Sequence, residues 1–258
     1  MSKVQGAGAH ELVEYLLRLG DDRLILGHRL SEWCGHGPIL EEDIALSNLA
    51  LDLIGQASLL LGLAGEVEGR GRDADALAYL RDAQEFRCHP MVELPRGDFA
   101  FTIVRQFLFG CYSWHLTRAL SSSRHEGLAG IAAKAHKEET YHLRHTSEWM
   151  LRLGDGTEES HARAQAALED LWRYTGTLFV ADEVDRAVAA TGVGVDPAVL
   201  EPPWRAMVED VVSRATLTLP PGDRPTGRGY RRGDHTEHLG HLLAEMQVLP
   251  RTYPGARW

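Results

Sequence analysis

The chain has 258 residues, 44% of them hydrophobic, and a formal charge of −10. That length and apolar share allow a large buried core and exclude a mostly disordered chain. The acidic balance excludes nucleic acid as a partner, because phosphate binding needs concentrated positive charge.

No secretory signal is expected in Met1 to Glu14, which lacks an apolar run flanked by basic residues. Cys34, Cys88 and Cys111 are widely spaced and form no C-x-x-C, so free thiols in a reducing compartment, the cytoplasm, are predicted. Apolar residues recur every three or four positions, with no sustained period-two alternation, and this predicts an all-α fold.

A first helix is expected from about Ala9 to Cys34, closed by Gly35-His36-Gly37-Pro38. A second runs from about Leu40 to Glu66 and ends at Gly69-Arg70-Gly71. Its segment Ile44 to Ala64 carries one charge, Asp52, and would suit a membrane. Asn48, Asp52 and Gln56 give it one polar stripe, however, and a central core helix is the expectation; no membrane partner is predicted. A short helix near Asp75 to Asp82 leads through an irregular stretch to Arg96-Gly97. The third long helix starts behind Asp98 as N-cap and runs to about Ser121. The fourth spans about Glu126 to Leu153 and stops at Gly154-Asp155-Gly156. Further helices are expected over Thr157 to Thr191, with a break near Gly176, and over Asp196 to Thr216. A Pro/Gly-rich loop, Leu219 to Gly233, precedes a last helix from about Thr236 to Leu249. The basic residues Arg228, Arg231 and Arg232 are read as part of a solvated loop. Four long helices, paired within each half and joined by a long crossover, match a ferritin-like four-helix bundle. One domain, 1–258, is expected, with the C-terminal helices packed around the bundle.

Bundles of this type can hold two irons: two helices each give a Glu, and the other two each give a Glu-x-x-His pair. Glu139-Thr140-Tyr141-His142 has that spacing. With 21 Glu and 13 His in 258 residues, about one such pair arises by chance, and Glu158 to His161 is a second. Position distinguishes the first: Leu128, Ala132, Ala135, Glu139, His142, Thr146, Trp149 and Leu153 alternate spacings of four and three, which places Glu139 and His142 on the core face. The other helices fail the test. Between Phe99 and His125 there is no Asp or Glu. The second helix offers Asp52 followed by Gly55, or Leu53 followed by Gln56, and neither is an acid–His pair. Asp21 and Asp22 on the first helix serve equally as ligands or as a polar patch before a bend. The expectation is no metal and no catalytic residue in this chain, with Glu139 and His142 retained as a buried pair and Gln56 as a neutral partner. His235, His238 and His241 with Glu245 could face one metal on a helix, although solvated or interface histidines explain them as well. Trp33, Trp114, Trp149, Trp172, Trp204 and Trp258 read as core or interface aromatics.

Several segments carry a family resemblance: Leu17-Arg18-Leu19-Gly20-Asp21, Ser31-Glu32-Trp33-Cys34-Gly35-His36, and Leu51-Asp52-Leu53-Ile54-Gly55-Gln56-Ala57. So do Leu171-Trp172-Arg173, Ala181-Asp182-Glu183-Val184-Asp185, and His235-Thr236-Glu237-His238-Leu239-Gly240 through Ala244-Glu245-Met246-Gln247. From about Glu14 to Trp258 the chain resembles the C subunits of bacterial ring-1,2-phenylacetyl-CoA epoxidases, multicomponent oxygenases of aerobic phenylacetate breakdown. The resemblance implies a structural, non-catalytic subunit without a cofactor of its own. Its implied partners are a related catalytic A subunit that carries the di-iron centre and further subunits including a reductase. Where the catalytic subunit has Asp-Glu-Ala-Gly-His, this chain reads Asp52-Leu53-Ile54-Gly55-Gln56, so Leu53 and Gln56 replace a metal-binding Glu and His. The third-helix ligand falls near Phe109, and the fourth-helix motif is kept as Lys137-Glu138-Glu139-Thr140-Tyr141-His142. The competing expectation is an oxygenase with an unusual metal site of its own on Glu139 and His142.

Overall fold

The computed structural model describes residues 8–256 apart from 222, 223, 226 and 228; Arg228 and Trp258 therefore lie outside the described residues. Four long helices dominate: α1 (Gly8–Ser31), α2 (Leu40–Glu68), α5 (Phe99–Leu120) and α6 (Glu126–Gly154). Between the two pairs lie the short α3 (Ala74–Tyr79) and α4 (Pro90–Glu93). The C-terminal part adds α7 (Glu158–Trp172), α8 (Glu183–Ala190), α9 (Glu201–Arg214), α10 (Glu237–Met246) and α11 (Val248–Thr252). No strand occurs among the described residues, so the all-α, ferritin-like expectation holds.

Local signals set the ends of the long helices. Asp98 caps α5 by accepting from the Phe101 amide at 2.8 Å, and His125 caps α6 by accepting from Leu128 N at 3.2 Å. Helix α2 stops where Gly69 enters the left-handed region at φ 68°, a conformation that costs glycine least. Gly154 is needed for a different reason: a Cβ there would lie 2.0 Å from the Ala215 carbonyl oxygen.

Helix α1 packs along α2 and α5 along α6, while α2 meets α6 more sparsely; α7 and α9 cover the α5–α6 pair and α8 lies on α1. Residues buried on every side of α5, such as Ile103, Phe107, Leu108 and Cys111, make it the innermost helix. Among the described residues α2 alone is long and apolar enough to cross a membrane. Leu46, Leu49, Leu53, Ala57 and Leu60 of that helix lie in the bundle core, while Leu40, Ile44, Leu51 and Leu59 are open to solvent. Trp33, Trp172 and Trp204 are core residues, and Trp204 Nε1 donates to the Leu108 carbonyl at 3.0 Å.

Two expectations are corrected and one is made specific. Helix α1 runs unbroken through Asp21 and Asp22, so they precede no bend. Asp21 is ion-paired with Arg81 and accepts from Arg87 N at 2.8 Å, and Asp22 accepts from His89 N at 2.7 Å. The break expected near Gly176 is a 3₁₀ turn at Thr175–Phe179, and α8 begins after Asp182, which caps it. Arg231 is not solvated. It is buried and ion-paired with Asp185, while Arg18 donates to Asp182 at 2.8 and 2.9 Å, and together these residues tie α1, α8 and the C-terminal loop. These partners stand far from one another in sequence, so a local reading of a basic, Gly-rich stretch misses them.

Candidate functional site

Each long helix carries a regular 3–4 stripe of buried residues, and each stripe is interrupted near the same level by a polar side chain. On α1 the stripe is Leu16, Leu19, Arg23, Leu26, Leu30; on α2 it is Leu46, Leu49, Leu53, Gln56, Leu60; on α5 it is Gln106, Phe109, Ser113, Leu116, Leu120. On α6 the interruption is Glu139 and His142, both 2% exposed. The helical period thus brings Arg23, Gln56, Ser113 and Glu139 together in the bundle interior.

Ser113 Oγ donates to Glu139 Oε1 at 2.7 Å. The Arg23 guanidinium donates to Ser113 Oγ at 3.3 Å, to Gln56 Oε1 at 2.9 Å and to the carbonyl of Leu19, one turn back, at 2.9 Å. Gln56 Nε2 in turn donates to Glu138 Oε2 at 3.0 Å. His142 Nε2 donates to Asp52 Oδ2 at 3.0 Å, while its Nδ1 lies 3.9 Å from Glu139 Oε2 and has no hydrogen-bond partner. Further along the α2–α6 seam His145 Nε2 donates to Glu42 Oε2 at 2.8 Å. The seam is therefore a ladder of three polar rungs, Glu42–His145, Asp52–His142 and Gln56–Glu138, running antiparallel.

The structure refines the placement of the site residues. Leu53 is a core residue, and Phe109 packs at a tilt against Tyr112 with ring centroids 5.8 Å apart. The α5 residue that meets Glu139 is Ser113, one turn beyond Phe109. Gln56 does face the site, but it bonds to Arg23 and Glu138 rather than to Glu139. Arg23 is neither an acid nor a histidine, so a pattern of metal ligands passes over it, although its place on an otherwise all-leucine stripe marks it.

A pair of irons does not fit these residues. Helix α5 presents a hydroxyl where a carboxylate is needed, and α2 presents an apolar group and an amide. A guanidinium, which is a fixed positive charge, stands between them. A single iron on a two-His, one-carboxylate face would need a second imidazole; His145, the nearest along α6, is held by Glu42.

Other polar clusters lie outside the bundle centre. Cys88, Glu93 and His235 bring their ligand atoms within 4.8 Å of one another. Glu93 Oε1 is only 2.6 Å from His235 Nδ1, a hydrogen-bond distance, whereas two ligands of one tetrahedral zinc stand about 3.3 Å apart. Burial and the Glu93 carboxylate push the Cys88 thiol well up, which favours the neutral thiol over the metal-binding thiolate. Glu93 Oε2 accepts from Thr236 N and Oγ1, both at 2.7 Å, and His235 Nε2 lies 2.9 Å from the Phe86 carbonyl. The cluster therefore pins the start of α10 to α4. His235 precedes that helix, and His241 and Glu245 are exposed, so the His235, His238, His241 and Glu245 set does not converge. Beside α1, burial pushes Asp22 up to about 7 and His89 well below its usual range.

A family model described as "Phenylacetic acid catabolic protein" matches residues 2–258. The chain is also 47% identical, over 249 residues, to the C subunit of 1,2-phenylacetyl-CoA epoxidase from Escherichia coli (strain K12), an alignment covering 96% of this chain and 100% of that relative. A match of this extent, on a helical bundle whose four inward stripes meet at one polar level, shows that the chain belongs to the phenylacetic acid catabolic protein family.

Proposed function

We propose that this chain is the structural, non-catalytic subunit of a cytoplasmic, multicomponent oxygenase that epoxidises the aromatic ring of phenylacetyl-CoA in phenylacetate degradation. Its role is to stabilise and position a homologous catalytic A subunit that carries the di-iron centre and receives electrons from a reductase. The name and near full-length coverage of the E. coli relative support the substrate and the assembly. The observation that carries the non-catalytic role is Ser113 opposite Glu139, on a third helix without any carboxylate. An interior closed by Arg23, Gln56 and Ser113 supports a chain without an oxygen-activating centre of its own. Its contribution is then made through its surface, where Leu40, Ile44, Leu51 and Leu59 of α2 are exposed. Three free cysteines agree with a reducing compartment.

The test is co-expression with the companion A subunit. A single hetero-oligomeric species by size exclusion with light scattering is expected, since permanent complexes commonly bury roughly 2,000 Å² or more. Turnover of phenylacetyl-CoA should need this chain. Two separate peaks at micromolar concentration, or full turnover without this chain, would remove the scaffold role.

A further inference from the structure

A buried carboxylate must be held by a cation or by several hydrogen bonds. In a di-iron bundle the metal supplies that charge; here the nearest interior cation is organic. We propose that Arg23 is a built-in substitute for the metal: its guanidinium holds Glu139 in the bundle core and Glu138 at its edge, and closes that core to divalent ions.

The direction of each hydrogen bond fixes the roles. Arg23 can only donate. It reaches neither glutamate directly but acts through two groups that both accept and donate. Ser113 Oγ accepts from Arg23 and donates to Glu139. Gln56 Oε1 accepts from Arg23, and its Nε2 donates to Glu138. Both relays run outward from one guanidinium to two neighbouring acids on α6. A carboxylate at position 113 could not pass the bond on, because it has no proton to donate. A hydroxyl and an amide can both accept and donate, and they occupy these two positions. Arg23 is 2% exposed and anchored to the Leu19 carbonyl of its own helix, so it cannot swing out to solvent. Glu138 has a second cation at its outer edge, with Lys134 Nζ 3.3 Å away, but that lysine is largely exposed and screened. For Glu139 the other polar neighbour is the His142 ring at 3.9 Å, which is already engaged by Asp52. A divalent ion entering beside Glu139 would meet the guanidinium across a single hydroxyl, in a medium that screens poorly.

Arg23→Met keeps the length of the stem and removes the charge. Wild type and variant, each as the full chain, are melted with and without cobalt(II), and bound cobalt is measured after gel filtration. The expected wild type gains nothing from cobalt and retains well under about a tenth of an ion per chain, whereas Arg23→Met melts at least about 5 °C lower. The variant also retains several times more cobalt than wild type, on Glu139 and its neighbours, and recovers part of the loss, as a site that binds only when folded must. Arg23 lies close to Asp22 as well, so Arg23→Met with Glu139→Gln assigns the effect. The pair must melt above Arg23→Met alone, and this comparison also serves if the single variant fails to fold. An unchanged melt in Arg23→Met, no extra cobalt in it, cobalt held by wild type, or a pair no more stable than the single variant would each overturn the proposal. None of these readings involves turnover, so they stand apart from the scaffold role.

Discussion

Truncating Glu139 to alanine removes the acceptor that Ser113 serves and the carboxylate nearest His142 Nδ1. The side chain is 2% exposed, so no water replaces it without opening the bundle. The loss has three parts: a stranded hydroxyl donor, an interior guanidinium with one acid fewer to offset it, and a cavity the width of a carboxymethyl group. Breaking a buried pair on one side costs about 3–5 kcal/mol. In a chain of this size each kcal/mol shifts melting by about 2–4 °C, so a fall of roughly 10 °C is expected by circular dichroism. Glu139→Leu with His142→Leu fills the space and leaves no acid without its partner in the core. Asp52, which loses His142, is partly exposed and turns to water, and Arg23 keeps its bonds to Leu19, Gln56 and Ser113. The double variant still strands the Ser113 hydroxyl and leaves Arg23 with one acid fewer, so it should fall below wild type but melt above Glu139→Ala, by roughly the 2 kcal/mol that an unfilled cavity costs. A double variant that melts as low as Glu139→Ala, or an alanine variant that melts with wild type, would refute this reasoning.

Two further predictions concern the polar clusters outside the bundle centre. Asp22 has its folded-state pKa raised to about 7 from an ordinary 3.8, chiefly by burial. Between those values the folded state holds the extra proton, so this group's contribution falls as pH rises through the window and is constant above it. Asp22→Asn keeps the acceptor for His89 N and removes the titration. It should match wild type near pH 4 and be more stable at pH 8, by at most about 4 kcal/mol. Parallel melting curves from pH 5 to 8 would show that Asp22 does not titrate this way. His235→Ala leaves Glu93, which is fully buried, without its closest partner. A loss of about 3 kcal/mol is expected, together with faster proteolysis within residues 219–233, and unchanged cleavage there would show that His235 does not pin α10.

The fold class was legible because period is a property of a few residues at a time. The α6 stripe alone places Glu139 and His142 in the core, and the acid-free third helix rules out one ligand outright. Register across helices was not legible: Phe109 and Ser113 stand one turn apart on the same stripe, and only packing decides that Ser113 meets Glu139. The same limit applies to Gln56, whose partners prove to be Arg23 and Glu138. Arg23 was readable in principle, since a charge at the centre of Leu16, Leu19, Leu26 and Leu30 calls for an interior partner. A pattern built on acids and histidines does not contain a guanidinium. Arg231 and His235 could not be placed from sequence, because Asp185 and Glu93 reach them only through the tertiary fold. Gly176 marked the break at Thr175–Phe179, whereas the end of α10 at Gln247 is bridged by apolar periodicity without a mark.

The central claim, that the bundle interior of this chain holds no oxygen-activating metal, is tested most directly by its iron content. The chain is expressed in iron-rich medium, purified without chelator, separated from any companion subunit, and subjected to elemental analysis. The structure predicts well under one iron per chain, because Arg23, Gln56 and Ser113 occupy the positions that would have to supply ligands. A value near two, the content of a complete carboxylate bundle, would contradict it.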